Sequence, residues 1–483
     1  MKKGLFCEIM RHIMKKQTRN LLFSIIFTLF FVGTVKADLA QRINKIISQS
    51  SQKKVKYSIR IVKADTGNVV YEKNAKTSLI PASNMKIITS AAALKYLGND
   101  FEYKTRIGLI DNTLVVIGSG DPLLGDEKTD SRYGRPKGWV FEKIEQQLRD
   151  RKIETVEDII IETGVFDNEL VHPNWPREQL NRWYACEVSG VNYNDNCILL
   201  TAKNVGGRVE LYIEPETSFI TLVNEVTPIT SGQGAIGAYR NQLPNRLIIK
   251  GQCRKEQGPV DVAIEKTAAF FGFLLAEHLN KSGITVTGRL TEKVLVDESD
   301  FRQLTEFTTP MNDCLLRCNK DSLGLVAEAL MKTIAAKNNS EGKSGSWEKG
   351  RELISEYLSE MGIDENDFYI DDGSGLSREN KLSSYIITKV LLSVYNSENW
   401  QMYRDSLAVG GVDGTSSISD NFQEEEYKGN VLGKTGSITG VMSLSGVCVT
   451  EQGDYIFSIL ANNATSRNAI NDIAKSVIDE YGD

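Results

Sequence analysis

Two short motifs near opposite ends of the chain limit its fold more than any other feature. Ser83 and Lys86 form an S-x-x-K motif where a helix over residues 83–97 is predicted to begin, and residues 434–437 read K-T-G-S on a predicted strand. Residues three apart on a helix share a face, and the helix N-terminus offers unpaired N–H groups that can stabilise an oxyanion. A lysine, a hydroxyl and a glycine along one strand combine charge with close backbone approach. A fold that unites the motifs must bring both ends of the chain together.

The predicted elements at the two ends support such a meeting. Residues 57–62 and 69–72 alternate apolar and polar side chains around a turn at 65–68, which predicts a β-hairpin. The C-terminal part predicts strands over 430–434, 441–449 and 455–461, followed by an amphipathic helix over 466–481. We therefore expect an α+β fold, an antiparallel sheet flanked by helices, with both termini in one domain.

The middle of the chain has a different pattern. Short strand-like stretches, separated by Gly, Asn and Pro, fall at 114–117, 158–162, 209–213 and 246–250. A helix over 267–282, a strand over 285–290 and helices over 311–337, 347–361 and 383–396 follow. We interpret residues 100–290 as one or two inserted strand-rich domains, and 38–99 with 291–483 as the domain that carries both motifs.

The first 37 residues have the three-part pattern of a secretory signal peptide. A basic segment is followed by an uncharged stretch at 21–35, and Val35 and Ala37 are small residues at the −3 and −1 positions before Asp38. The apolar run is short for a bilayer span, which needs about 20 residues. The pattern predicts cleavage after Ala37 and a periplasmic or secreted protein; the alternative is an uncleaved N-terminal anchor.

The charge of the chain restricts its partners. All 483 residues carry a net charge of −6, and removing residues 1–37 leaves 50 basic and 62 acidic residues, a net charge of −12. Such a surface repels the phosphates of nucleic acids and anionic lipids. We therefore expect no nucleic-acid partner; the short apolar run, once cleaved with the leader, also leaves no stable membrane span.

Histidine is nearly absent, which limits the available chemistry. Only His172 and His278 lie outside the leader, and no G-x-S-x-G nucleophile elbow accompanies them. A Ser-His-Asp hydrolase is therefore disfavoured. Lys86 can replace histidine as a base, because burial near other cations disfavours the ammonium form. No spacing of Cys, His or acidic residues indicates a metal site, and we expect no cofactor.

Taken together, the motifs resemble the serine D-alanyl-D-alanine carboxypeptidase/endopeptidase family, the low-molecular-mass class C penicillin-binding proteins with domains inserted after the S-x-x-K helix. The resemblance covers essentially the whole mature chain. Supporting stretches fall at 118–122, 192–196, 372–378 and 413–415. It implies that residues 38–99 and 291–483 form a DD-peptidase domain with the penicillin-binding/β-lactamase-like transpeptidase fold.

The resemblance also implies the roles of individual residues. Ser83 would be the acylated nucleophile, Lys86 its base, and Ser322 a proton relay towards the leaving amine. Thr435 and Ser437 would bind the terminal carboxylate of the substrate, and the backbone N–H groups of Ser83 and Ser437 would form the oxyanion hole. The implied catalytic set is Ser83, Lys86 and Ser322, and the implied substrate-binding set is Lys434, Thr435, Gly436 and Ser437.

One position departs from the family pattern. Residues 319–328 match the S-x-N region, but Gly324 stands where the family has Asn. That amide orients the lysine and the substrate, and losing its hydrogen bonds is expected to cost ~1–3 kcal/mol, roughly a tenfold to hundredfold loss of rate. From the sequence, Gly324→Asn is expected to raise the acylation rate about tenfold.

The resemblance implies an exported serine DD-peptidase that acts through an acyl-enzyme on Ser83. Its substrates would be the D-Ala-D-Ala ends or D-alanyl cross-links of peptidoglycan stem peptides, and β-lactam antibiotics would be covalent inhibitors. Two alternatives remain: a peptidoglycan-binding pseudoenzyme weakened by Gly324, and a β-lactamase or esterase on the same scaffold. Deacylation separates the three, because a peptidase retains a penicillin adduct, a β-lactamase releases it and a pseudoenzyme never forms it.

Overall fold

The computed structural model describes residues 38–339, 342 and 344–482, so the predicted signal peptide lies outside the described residues. The helices are α1 Leu39–Ile47, α2 Met85–Leu97, α3 Glu127–Arg132, α4 Trp139–Asp150, α5 Thr267–Lys281, α6 Met311–Asn319, α7 Gly324–Lys337, α8 Trp347–Glu360, α9 Ser384–Tyr395, α10 Trp400–Ser406, α11 Ser416–Ser419 and α12 Asn468–Tyr481. The strands are β1 Lys56–Lys63, β2 Val69–Lys73, β3 Glu102–Ile110, β4 Thr113–Ile117, β5 Thr155–Val156, β6 Ile159–Glu162, β7 Cys197–Val205, β8 Arg208–Glu214, β9 Thr221–Pro228, β10 Ala235–Tyr239, β11 Arg246–Cys253, β12 Glu256–Ala263, β13 Thr285–Val286, β14 Leu290–Glu292, β15 Arg302–Pro310, β16 Ala408–Val409, β17 Val431–Ile438, β18 Val441–Cys448 and β19 Tyr455–Asn462. Among these described helices, none is both long and apolar enough to cross a bilayer.

A six-stranded antiparallel sheet unites the two ends of the chain. Its strand order is β16-β17-β18-β19-β1-β2, so the first strand lies between the last strand and its own hairpin partner. Ile59 and Ile61 on β1 pack with Ile470 and Ile473 of α12 on one face of the sheet. Helices α2 and α9 lie on the other face, where Ile87 joins a second apolar core. The expected α+β fold, with an antiparallel sheet flanked by helices, is confirmed.

Helix α2 lies at the centre of the peptidase part. Every residue from Met85 to Leu94 is buried, and Gly98 ends the helix with a φ of 85° that disfavours other residues. A helix with no polar face is stable only when it is surrounded by other elements. Helices α6, α7, α8 and α9 surround α2 and fix the S-x-x-K motif at its start.

The inserted part is rich in strands, as predicted. Its largest sheet has the order β14-β6-β4-β3-β15, and two three-stranded sheets have the orders β12-β7-β8 and β10-β11-β9. Strand β15, which follows residue 290, pairs with β3 in this sheet. The division of the chain at residues 99/100 and 290/291 stays a prediction.

The predicted strand over 285–290 is wrong. Two short strands, β13 and β14, lie there in different sheets. The chain bends between them at Gly288, where a Cβ atom would lie 2.0 Å from Oδ1 of Asp158. Arg289 donates its backbone N–H to the same carboxylate. Apolar alternation alone did not reveal this bend.

The continuous helix predicted over 311–337 is also wrong. Helix α6 ends at Asn319 and α7 begins at Gly324. Between them Ser322 has a φ of 64°, a left-handed conformation that an α-helix does not accommodate. The N–H of Leu323 turns back to the carbonyl of Arg317 at 3.0 Å. Ser322 therefore lies on an interhelical loop and not on a helix face.

Candidate active site

Ser83 and Lys86 lie one turn apart, where a 3-10 turn over Ala82–Asn84 leads directly into α2. The Lys86 Nζ atom is 3.3 Å from Ser83 Oγ. Lys86 is 2% exposed, and burial lowers the pKa of its ammonium group. A lysine that loses its proton readily next to a serine hydroxyl can act as the base for that serine.

The turn that carries Ser83 is fixed to the central sheet. Asn84 donates to the Lys434 carbonyl at 2.8 Å and accepts from the Ser445 hydroxyl at 2.6 Å. The Ser443 hydroxyl binds the carbonyl of Pro81 at 2.8 Å. These bonds determine the distance between the S-x-x-K turn and strand β17.

Gly436 explains why the strand motif contains a glycine. A Cβ atom at this position would lie 2.2 Å from Ser443 Oγ and 3.0 Å from the backbone nitrogen of Ser83. Only a residue without a side chain allows this approach. The K-T-G-S strand thus passes directly beside the serine turn.

Ser322 lies on the opposite side of the site and contacts the second lysine. Lys434 donates from Nζ to Ser322 Oγ at 2.8 Å and to its neighbouring carbonyl, Thr435 O, at 2.9 Å. Lys434 is 1% exposed. Burial, together with the positive charge of Lys86, lowers the pKa of Lys434 well below its ordinary value.

Five of the seven predicted site residues line one cavity of about 800 Å³. These residues are Ser83, Lys86, Ser322, Thr435 and Ser437. Lys434 and Gly436 lie behind the cavity wall, where the first holds Ser322 and the second allows the close approach of the strand. Among the predicted residues, three hydroxyl groups and one lysine therefore line the cavity with the nucleophile.

Gly324 is also on the cavity wall, and the inserted part occupies the space beside it. A Cβ atom on Gly324 would lie 3.0 Å from the carbonyl oxygen of Tyr184. Trp183 and Tyr184 both line the cavity, whereas Trp175 is 4% exposed and packs in the core. Trp175 packs against Trp347 in the core around α2, so it belongs to the peptidase core, whereas Trp183 and Tyr184 face the cavity.

Several groups in the site carried no clear sequence signal. The carbonyl of Ser374 accepts from Lys86 Nζ at 2.8 Å, although the sequence marks this residue only as part of the supporting stretch at 372–378. Thr415 lies 3.1 Å from Thr435, hydroxyl to hydroxyl, and its stretch at 413–415 had been noted only as a supporting match. Arg467 donates to the Gly436 carbonyl at 3.1 Å.

A buried thiol lies near the two lysines. Burial raises the pKa of Cys318 to about 11, although the positive charges of Lys86 and Lys434 oppose the rise. Among the described residues, no group of three or more His, Cys, Asp or Glu residues is arranged to hold a metal ion.

The sequence of this chain is similar to those of known D-alanyl-D-alanine carboxypeptidases. The D-Ala-D-Ala carboxypeptidase 3 (S13) family matches residues 39–480. A D-alanyl-D-alanine carboxypeptidase from Actinomadura sp. (strain R39) is 26% identical over 460 residues, which cover 89% of this chain and 82% of the relative. The D-alanyl-D-alanine carboxypeptidase DacB of Haemophilus influenzae is 24% identical, with 80% of this chain and 81% of the relative covered.

A solved structure shows the same fold. Penicillin binding protein 4 (dacB) from Haemophilus influenzae superimposes with a TM-score of 0.76 at 20% identity, covering 91% of this chain and 98% of that chain. The same protein in complex with a β-lactam superimposes with a TM-score of 0.72. These matches confirm the resemblance drawn from the motifs. The chain belongs to the D-Ala-D-Ala carboxypeptidase 3 (S13) family.

Proposed function

We propose that this serine-type D-Ala-D-Ala peptidase works through an acyl-enzyme on Ser83. The observation that carries the proposal is the pair of lysine–serine contacts around one cavity, Lys86 with Ser83 at 3.3 Å and Lys434 with Ser322 at 2.8 Å. Each serine has a buried lysine as its neighbour. One pair fits the activation of a nucleophile and the other fits the transfer of a proton to a leaving group.

In the acylation step, Ser83 Oγ attacks the carbonyl carbon of the penultimate D-alanine and its proton passes to Lys86 Nζ. The C–N bond to the terminal D-alanine then breaks, and the leaving nitrogen receives a proton through the Ser322 hydroxyl. Water later attacks the ester and restores Ser83. The N–H groups of Ser83 and Ser437 are the proposed donors to the oxyanion.

Thr435 and Ser437 are the proposed site for the terminal carboxylate of the substrate. Their positions on the cavity wall, beside the buried amine of Lys434, support this role. Peptidoglycan stem peptides, as D-Ala-D-Ala ends or D-alanyl cross-links, are the proposed substrates. β-Lactams imitate this group, but the amine released by ring opening stays tethered, so the acyl-enzyme persists.

The test is the intact mass of the purified mature chain after treatment with benzylpenicillin. We expect one long-lived adduct in wild type, carried by the peptide that contains Ser83, and none in Ser83→Ala. Lys86→Ala is expected to slow acylation by several orders of magnitude, because a neutral hydroxyl is a poor nucleophile without a base.

Three other outcomes would contradict the proposal. Rapid loss of the adduct would favour a β-lactamase, and no adduct in folded wild type would favour a peptidoglycan-binding pseudoenzyme. An adduct that persists in Ser83→Ala would contradict the assignment of the nucleophile. Export to the periplasm or medium is part of the same proposal, since peptidoglycan lies outside the cytoplasmic membrane.

A further inference from the structure

Glu328 on α7 is a completely buried carboxylate whose hydrogen bonds all come from N–H groups. Its Oε1 atom accepts from the backbone N–H of Ser374 at 2.7 Å. Its Oε2 atom accepts from the backbone N–H of Gly373 at 2.9 Å and from the indole of Trp347 at 2.7 Å. Burial and the neighbouring Asp372 carboxylate raise the pKa of Glu328, and the hydrogen bonds from Ser374 and Gly373 oppose that rise. Three converging donors fit an ionised carboxylate, because a protonated one would need an acceptor for its own hydrogen.

A second buried carboxylate holds the other side of the same loop. Asp372 accepts backbone N–H groups from Gly375 at 2.8 Å and Ser377 at 2.7 Å, and the indole N–H of Trp175 at 2.8 Å. A Cβ atom on Gly375 would lie 1.9 Å from the carbonyl of Ala82. The loop over 372–377 is therefore fixed between two carboxylates and lies against the turn that carries Ser83.

The fixed loop delivers one functional group to the active site. Ser374, whose N–H is held by Glu328, directs its carbonyl to Lys86 Nζ at 2.8 Å. Among the described residues, the only other hydrogen-bond partner of the Lys86 Nζ atom is Ser83 Oγ. Gly324, where the family has an amide side chain, offers Lys86 no acceptor.

The tryptophan that binds Glu328 is itself fixed from the same helix. Lys332, one turn after Glu328, is completely buried with Nζ 3.9 Å from the centre of the Trp347 ring. Its Nζ atom also binds Asp167 Oδ1 at 2.8 Å and the carbonyl of Glu169 at 2.6 Å. A charge and an aromatic ring that are both buried and bonded leave Glu328 little freedom to move.

We propose that Glu328 is a positioning residue for Lys86. Its carboxylate holds Ser374 so that the Ser374 carbonyl accepts from Lys86 and presents the amine to Ser83, in place of the amide that Gly324 lacks. Its negative charge also sets the pH range in which Lys86 accepts a proton. This inference rests on the proposed function, in which Lys86 is the base for Ser83.

Four ionisable groups face Lys86 from the surrounding elements. Cys318 on α6, Glu328 on α7 and Asp372 on the loop favour the ammonium form of Lys86 and oppose the effect of burial on its pKa. Lys434 on β17 is a neighbouring group of like charge, and the charge of Lys86 lowers the pKa of Lys434. Replacing Glu328 with a neutral residue therefore lowers the pKa of Lys86, and the amine becomes available at lower pH.

The experiment measures the rate of acylation by a fluorescent penicillin as a function of pH. In Glu328→Gln the acidic limb of the profile is expected to move to lower pH, because the lysine loses its proton more readily. The plateau is expected to fall about tenfold or more, because an amide cannot accept from all three donors and Ser374 shifts. Glu328→Asp keeps the charge but retracts from Ser374, so the plateau should fall while the limb stays near its wild-type position.

Glu187→Gln is the matched control. Glu187 is also a buried glutamate that accepts a backbone N–H, from Thr267 at 3.3 Å, but it does not line the cavity. The acidic limb and the plateau of the pH profile of Glu187→Gln are expected to match those of wild type. A purely structural role for Glu328 would lower the melting temperature of Glu328→Gln without moving the limb.

The proposal is overturned if Glu328→Gln acylates with the limb and plateau of wild type. Should Glu328→Gln fail to fold, Glu328→Asp decides, and a plateau within about twofold of wild type overturns the proposal. Wild type without an adduct on Ser83 would contradict the proposed function itself. A normal wild-type adduct combined with an unchanged Glu328→Gln profile would contradict only the role of Glu328.

Discussion

The Nζ atom of Lys434 donates to the hydroxyl oxygen of Ser322 at 2.8 Å, between strand β17 and the loop that separates α6 from α7. A hydroxyl oxygen that accepts in this way keeps its own hydrogen available for donation. Ser322 lines the cavity, so that hydrogen can point towards a bound substrate. The buried lysine thus makes Ser322 a donor at the place where a leaving amine would need one.

Replacing Ser322 tests this relationship. Ser322→Ala is expected to lower the acylation rate by about a hundredfold, since a positioned proton donor contributes typically 10²–10⁴-fold. The measurement is the second-order rate constant with a fluorescent penicillin. Ser417→Ala is the control, because Ser417 lines the same cavity and contacts neither lysine through its side chain; it should stay within about threefold of wild type. Equal rates for the two variants would remove Ser322 from the proton path.

The structure reverses the expectation for Gly324→Asn. The new Cβ atom would lie 3.0 Å from the Tyr184 carbonyl oxygen, so the main chain of the inserted part must shift. The Ser374 carbonyl already serves as an acceptor for Lys86. We expect the acylation rate to rise less than about twofold and the melting temperature to fall.

Gly324→Ala separates the two effects of that substitution. It adds the same Cβ atom without an amide and should lose the same stability. If Gly324→Asn acylates about tenfold faster than wild type and Gly324→Ala acylates at the wild-type rate, the expectation drawn from the sequence is right. The contact with the Tyr184 carbonyl then does not limit the substitution.

Glu187 makes stability depend on pH. Burial raises its pKa from 4.5 to about 7, so the folded chain binds this proton more tightly than the unfolded chain does. As pH rises from about 4.5 to about 7 the unfolded state ionises first, and stability is lost across that window. Glu187→Gln removes the group, and its unfolding free energy relative to wild type should increase across the window by up to about 3 kcal/mol. Chemical unfolding of both proteins at several pH values measures this difference in unfolding free energy. A difference that stays constant with pH would show that Glu187 has an ordinary pKa.

The mature N-terminus is expected at Asp38. The Asp38 side chain accepts from the backbone N–H of Gln41 at 2.8 Å and so caps helix α1. Cleavage after Ala37 would leave this cap intact. N-terminal sequencing of the exported protein should begin at Asp38, whereas a full-length chain retained in the membrane fraction would indicate an uncleaved anchor.

Side-chain patterns predicted the parts of the site that depend on side-chain chemistry. The alternation in β1, the largely apolar α2 and the K-T-G-S strand together indicated that the two ends of the chain form one sheet and share one site. Those signals are local, and each needs only the chemistry of a few neighbouring residues.

The remaining parts depend on the backbone or on tertiary contacts. Ser374 contributes a carbonyl, which every residue has, so no residue type could reveal it. Ser322 lies on a loop because its left-handed φ interrupts what composition predicts as one helix. Trp183 and Tyr184 line the cavity only because the inserted part packs beside α7, a contact between distant segments that periodicity does not encode.

The pairing of β1 with β19 also determines when the peptidase sheet can form. Residues 56–63 can pair with residues 455–462 only after both segments have been synthesised. The central strand pair therefore forms only when nearly the whole chain is present in one compartment. Pairing across such a sequence separation is slow, because the entropy of closing the intervening chain must be lost first. A chain that stops before residue 455 lacks the strand that joins β18 to β1 and leaves both with unpaired edges, which favour aggregation.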